Sequence, residues 1–301
     1  MRPIHLSVLI VWMLSLWLFA PTAAAQTETE AFTLERSGTM PHYWIDGPAD
    51  APVVVFTHGA GMDHHMFDAQ VEAIADTYRT LVWDVRAHGL SQPLGDEFSI
   101  RIAADDLLAI LDDAQIEQAV LVGQSMGSYI SQELIYHYPD RVLALVSIGG
   151  TPLIGSYSFG DILALRASAA AIDLLDYTTF RQLAADTASI VPEVRSYAFE
   201  ATGQVQREAF RAVMGAIADA LRGEEGYTLP VPALITHGDQ DNLGTIKPMT
   251  PGWAERDAGG VYHVIADAGH NANQDNPDAF NALLLDFLAA AAPVVGGEAG
   301  A

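Results

Sequence analysis

The chain has no cysteine and a single lysine, Lys247, among its 301 residues. Without cysteine there is no disulfide, no thiolate metal site and no sulfur nucleophile. Positive charge is scarce: 14 Lys and Arg stand against 38 Asp and Glu, a formal net charge of −24. Such a surface repels nucleic-acid phosphates and anionic lipid headgroups, so neither is expected as a partner, and the charge reads as a means of solubility. Neighbouring His64 and His65 suggest a metal, yet adjacent residues cannot share a helix face and no HExxH or carboxylate pattern accompanies them. Neither a metal nor a cofactor is expected, and oligomeric state is not legible.

The apolar run from Leu6 to Ala20 is shorter than the ~20 residues a bilayer span needs. Arg2 precedes it; Pro21, Thr22 and Ala23-Ala24-Ala25 follow. Residues 1–25 therefore read as a secretory signal, with small residues at 23 and 25 for cleavage and Gln26 first in the mature chain. The alternative is an uncleaved anchor. Cleavage implies export to the periplasm or medium, with no stable membrane association afterwards.

Over the whole chain of 301 residues, 50% hydrophobic and 17% charged residues suffice for a full core, read as one domain with insertions. Ala31–Met40 and His42–Asp46 are expected to pair antiparallel, turning near Pro41. Strand patterns follow at 52–57, 80–85, 119–122 and 142–148, separated by helical ones at 66–78, 100–114 (capped by Ser99) and 128–138. This alternation implies a mainly parallel sheet with helices on both faces. From 151 to 229 the pattern is helical only, with apolar spacing in Ile162–Leu175, Phe180–Ala188 and Val205–Leu221. Such a block between strands is expected to fold over the strand ends as a cap. The core then runs over 26–150 and 230–293, with strands at 233–236 and 262–265, a closing helix at 277–291 and a flexible tail at 294–301.

Gly123-Gln124-Ser125-Met126-Gly127 sits where a strand meets a helix. A serine at so tight a turn adopts a strained backbone, and bulky side chains two residues before and after would collide; glycines at 123 and 127 remove the collision. The turn lifts the Ser125 oxygen above the sheet and aims the Met126 N–H at a developing oxyanion. A hydroxyl is too weak an acid to attack a carbonyl unaided, so it needs an imidazole held by a carboxylate. Candidates stand at the carboxyl ends of later strands: Asp241 in His237-Gly238-Asp239-Gln240-Asp241, and His270 in Ala268-Gly269-His270-Asn271. Asp239 is a rival for the carboxylate.

With His58-Gly59-Ala60-Gly61 and Asp84-Val85-Arg86-Ala87-His88-Gly89, these motifs resemble the α/β-hydrolase fold family, in particular its small esterase, lactonase and non-haem haloperoxidase-like members. The resemblance spans nearly the whole chain after the leader. It implies an eight-stranded sheet with a helical cap after the sixth strand. Ser125 is implied as nucleophile, His270 as base, Asp241 as its orienting acid, and the Ala60 and Met126 N–H groups as the oxyanion hole. The family turn puts the acid third after the glycine, which selects Asp241 over Asp239, although the proline common a few residues later is missing. His58 is expected to brace the oxyanion loop, and Asp84, Arg86 and His88 to fix the loop after their strand. The implied activity is hydrolysis of small-molecule esters or lactones. C–C hydrolysis, perhydrolysis and a noncatalytic binding role on the same scaffold stay open, whereas a serine excludes the aspartate-nucleophile branch of the fold.

Overall fold

The computed structural model describes residues 31–257 and 260–294. The leader expected over 1–25 lies outside them, as does the tail except Val294.

Val53, Val54, Val55 and Phe56 form an unbroken β-branched and aromatic run, the composition of a strand covered on both faces. They lie in β3 (Val53–Thr57), all of whose residues are buried. Its sheet also contains β1 (Phe32–Thr33), β2 (His42–Asp46), β4 (Arg79–Trp83), β5 (Ala119–Gln124), β6 (Val142–Ile148), β7 (Ala233–Gly238) and β8 (Gly260–Ile265). The order is β1-β2-β4-β3-β5-β6-β7-β8. β2 runs antiparallel to β1 and β4; the other pairings are parallel. The expected eight-stranded, mainly parallel sheet is present.

The period-two pleat splits the core into two layers. Val53, Val55 and Leu121 face one side, where they meet Leu107 of α2 (Ile100–Asp113), Ile130 of α3 (Met126–His137) and Trp253 of α8 (Ile246–Arg256). Val54, Phe56 and Val122 face the other, against Ile74 of α1 (Asp68–Ile74) and Phe280 and Leu284 of α10 (Pro277–Ala291). Each such side chain taken fully out of water contributes about 1.5–3 kcal/mol. The Ser99 hydroxyl accepts from the Ile102 N–H at 3.0 Å, capping α2 as expected.

The opening hairpin turns at Ser37-Gly38, not near Pro41. Both residues have positive φ (36° and 78°), and Arg36 and Thr39 exchange backbone hydrogen bonds of 2.9 and 2.8 Å. Glycine supplies the second of these conformations without strain.

Between β6 and β7 lie four helices: α4 (Phe159–Ala171), α5 (Tyr177–Ala188), α6 (Pro192–Gln204) and α7 (Arg207–Ala220). Apolar spacing had indicated three. α6 escapes that signal because its buried residues are the small Ala198, Ala201 and Thr202, which leave no large apolar stripe. α8 is hidden differently, by Pro248 and Pro251 inside its span.

Candidate active site

Ser125 follows β5 directly and caps α3 with φ 48° and ψ −111°. This strained conformation is held by neighbours: the Ser125 N–H donates to the Ile148 carbonyl of β6 at 2.8 Å, and its carbonyl accepts from the Ser128 N–H at 3.0 Å. The flanking glycines are needed for close approach. A Cβ on Gly127 would stand 1.9 Å from the Thr57 carbonyl oxygen, and one on Gly123 would stand 2.4 Å from the Gly127 carbonyl.

The loop after β3 is braced by His58. Its Nε2 accepts from the Val85 N–H at 3.0 Å, so Nδ1 carries the proton and donates to the Gly59 carbonyl at 2.8 Å. Burial, reinforced by nearby His88, pushes this imidazole down to about 3, and it stays neutral. Beyond this brace, the N–H groups of Ala60 and Met126 make no hydrogen bond among the described residues.

Asp241 and His270 come from separate loops, after β7 and β8, and meet. His270 Nδ1 lies 2.9 Å from Asp241 Oδ2, in donating geometry, while Asp241 Oδ1 accepts from the Leu243 N–H at 3.0 Å. Burial alone would raise the Asp241 carboxyl, but attraction and the hydrogen bond from His270 outweigh it and hold it below the usual carboxylate range. Asp239 is exposed and accepts instead from the Ala268 N–H at 3.0 Å. The Leu243 contact closes the acid turn without the family's proline.

The His270 ring rests on Gly149, where a Cβ would lie 2.9 Å from Nδ1. Gly149 follows Ile148, the register partner of Gln124, so the ring stands over the strand ends beside the elbow. His270 Nε2 and the Ser125 hydroxyl make no internal hydrogen bond among the described residues.

The other singled-out residues serve structure. Arg86 and Asp106 form a buried two-pronged pair, Nε to Oδ2 at 2.7 Å and Nη2 to Oδ1 at 2.9 Å. Asp84 accepts from the His64 and Leu90 N–H groups, both at 2.8 Å. His64 stacks on Trp44 at 3.7 Å between ring centroids and, with His65, lines a cleft of about 820 Å³ that is not lined by Ser125 or His270. No group of three or more potential ligands among the described residues is close enough to hold a metal ion.

The residues that dock α6 and α7 on the loop after β3 carry no motif in the sequence. The Tyr197 hydroxyl donates to Asp63 Oδ1 at 2.8 Å, and Thr202 Oγ1 donates to the Gly61 carbonyl at 3.2 Å. Phe210 stands over Gly61, 2.8 Å from where a Cβ would sit. Pro192 followed by Glu193, a common helix opening, was the available signal.

A family model described as alpha/beta hydrolase fold matches residues 52–189, which carry the Ala60 loop and the Ser125 elbow. The chain has the α/β-hydrolase fold. This α/β hydrolase is 27% identical over 255 residues to 3-oxoadipate enol-lactonase 2 of Acinetobacter baylyi, covering 83% of this chain and 93% of that protein. It is 26% identical over 254 residues to a 2-(acetamidomethylene)succinate hydrolase of Mesorhizobium japonicum, covering 79% and 88%. Among solved structures, the enol-lactonase from Burkholderia xenovorans LB400 superposes with a TM-score of 0.73 at 25% identity, covering 85% of this chain and 99% of that one. A thermophilic esterase from Thermogutta terrifontis shares the fold, with a TM-score of 0.77 at 20% identity and coverage of 88% and 100%.

Proposed function

We propose that this α/β hydrolase is an exported serine hydrolase that cleaves esters or lactones of small molecules through Ser125, His270 and Asp241. The observation that carries the reading is the 2.9 Å Asp241–His270 hydrogen bond, which supports His270 as a base with Nδ1 engaged and Nε2 left for proton transfer. In this reading His270 Nε2 takes the Ser125 proton as Oγ attacks the carbonyl carbon. The resulting oxyanion is stabilised by the Ala60 and Met126 N–H groups, each worth on the order of 10²–10³ in rate. Protonated His270 then gives its proton to the leaving oxygen as the ester bond breaks. Water, deprotonated by the same nitrogen, attacks the acyl-serine, and collapse of the second oxyanion releases the acid and restores Ser125. Asp241 stays ionised and stabilises the imidazolium in both halves. For a lactone the leaving oxygen remains attached to the acyl group, and the product is a single hydroxy acid.

The enol-lactonase names of the curated relatives support the lactone branch; the esterase fold neighbour is compatible with either. Helices α4–α7 are assigned as the cap over the site, and residues 1–25 as the export signal. The decisive experiment is labelling of the purified chain by a fluorophosphonate, with a panel of p-nitrophenyl esters, lactones and diketones. Ser125→Ala is expected to fold, to resist labelling and to lose turnover. A labelled or active variant overturns the nucleophile, and a wild-type chain that does not label favours a binding protein on this scaffold. A preference for diketones would shift the reading to C–C hydrolysis. N-terminal sequencing of exported protein is expected to begin at Gln26; a chain beginning at Met1 contradicts cleavage.

A further inference from the structure

The backbone at His270 is held by three separate parts of the molecule. The Gly269 N–H donates to Asp275 Oδ2 at 2.7 Å, the Asn271 N–H donates to the Ala188 carbonyl at 2.7 Å, and the His270 carbonyl accepts from Gln124 Nε2 at 3.1 Å. The first two lead to one place. Asp275, the last residue of α9 (Ala272–Asp275), also accepts from the Ser189 hydroxyl through Oδ1 and from the Ile190 N–H through Oδ2 at 3.2 Å. Ala188, Ser189 and Ile190 form the junction between α5 and α6. The helical insertion therefore grips the chain on both sides of His270, once directly and once through a carboxylate.

That junction is firmly built. Ser189 is buried, its carbonyl accepts from Arg195 Nε at 2.7 Å, and its hydroxyl accepts from the Val191 N–H at 2.9 Å. Gly269 fits tightly beneath it, for a Cβ there would lie 3.1 Å from Asp275 Oδ2 and 3.3 Å from Ser189 Cα. One Asp275 oxygen serves two N–H donors and the other serves a hydroxyl. An amide has a single acceptor oxygen and cannot hold all three.

We infer that Asp275 is a positioning residue that couples the seating of α5 and α6 to the alignment of His270. The inference rests on the reading of His270 as the proton-transfer group. Asp275 has no hydrogen bond to the ring or to Ser125, so its influence travels through the Gly269 peptide. Proton transfer needs Nε2 within hydrogen-bond reach of the serine, and a displacement of about 1 Å costs up to about 100-fold in rate. A carboxylate that merely tethered the cap would act otherwise: loosening the cap would weaken substrate binding and raise KM with kcat unchanged.

The test uses the full chain with Asp275→Asn, Ser189→Ala and the double variant, each measured for turnover of a short neutral ester. The low-field proton resonance of His270 Nδ1–H is recorded alongside, with no substrate present. Asp275→Asn is expected to lower kcat by about 10- to 100-fold with KM changed less than about twofold. Ser189→Ala lowers kcat less, and the double variant is no worse than Asp275→Asn alone, because the two side chains act as one unit. The Nδ1–H resonance shifts or broadens in Asp275→Asn. An effect confined to KM, additive losses or an unmoved resonance would overturn the coupling. Should Asp275→Asn not fold, Ser189→Ala carries the test on the same two readouts. A wild-type chain that turns over no ester defeats the hydrolase reading, and the resonance still decides the coupling.

Discussion

Gln124 and His270 are 146 residues apart in the chain, yet the Gln124 side-chain amide donates to the His270 carbonyl at 3.1 Å and reaches Asn271 Oδ1 at 3.3 Å. The residue that precedes the elbow serine thus supports the loop that carries the imidazole. Its oxygen lies against the third loop of the site, 2.0 Å from where a Cβ on Gly59 would stand. Gln124→Met keeps the length and removes the donor. Leaving the buried carbonyl unpaired costs about 1–3 kcal/mol, to be read as a lower urea midpoint at unchanged slope. An unchanged midpoint would mean that the His270 loop does not depend on Gln124.

Strain at Ser125 makes a prediction of the opposite sign. A non-glycine residue at φ 48° and ψ −111° costs about 1–3 kcal/mol, whereas a glycine costs roughly 0.5–1 kcal/mol in chain entropy. Ser125→Gly is therefore expected to be inactive and more stable than the wild type by about 1 kcal/mol. A lower thermal midpoint than that of Ser125→Ala would show that the backbone is relaxed there.

Local chemistry explains what the sequence revealed and what it hid. The elbow, the Ser99 cap and the β3 run are written within a few residues of one another, so periodicity and glycine spacing disclose them. His270 and Asp241 each follow a strand of the same sheet, and the family resemblance then selects Asp241 over Asp239. Gln124, Asp275 and Thr202 gave no such sign. Their partners lie in distant loops, and a glutamine, an aspartate and a threonine are ordinary residues until folding brings His270, Ser189 or Gly61 against them.

Acid should unfold the protein in a recognisable way. His58 binds its proton at about 3 when folded, against 6.5 ordinarily. The unfolded chain therefore takes up a proton that the native state refuses. His58's contribution is complete above pH 6.5 and is lost progressively as the pH falls toward 3. Asp241 acts in the same direction. Its depressed carboxyl adds stability above the ordinary carboxylate range, and that stability is lost as pH falls through its own lower value. His58→Asn, which cannot protonate, is expected to melt earlier at neutral pH but to show a shallower acid limb. Parallel Tm-against-pH curves for variant and wild type would refute the role of His58.

Charge predicts which esters the site will refuse. Among the described residues, the arginines other than Arg79 donate to acceptors outside the Ser125, Asp241 and His270 site: Arg36 and Arg86 to Asp106, Arg101 to Asp105, Arg222 to the Ala220 carbonyl, Arg256 to Asp257, and the rest likewise. Lys247 donates to Asn242 and to the Asp239 carbonyl. Arg79 opens β4, at the amino end of a strand parallel to β3, whereas Ser125 lies at the carboxyl ends. Ala60 packs against an apolar cluster of Ile172, Val205, Ala209 and Phe210. A substrate carboxylate set there would lose its water without gaining a counter-charge, at a cost of several kcal/mol, while the net charge of −24 repels it during approach. p-Nitrophenyl butyrate should therefore exceed p-nitrophenyl hemisuccinate in kcat/KM by at least about 100-fold, an energy gap of about 2.7 kcal/mol. Added salt should narrow the part of the gap that arises from long-range repulsion and leave the part due to desolvation. Comparable turnover of the two esters at low salt would mean that a cation reaches the acyl group, and that the apolar wall beside Ala60 does not set the charge preference.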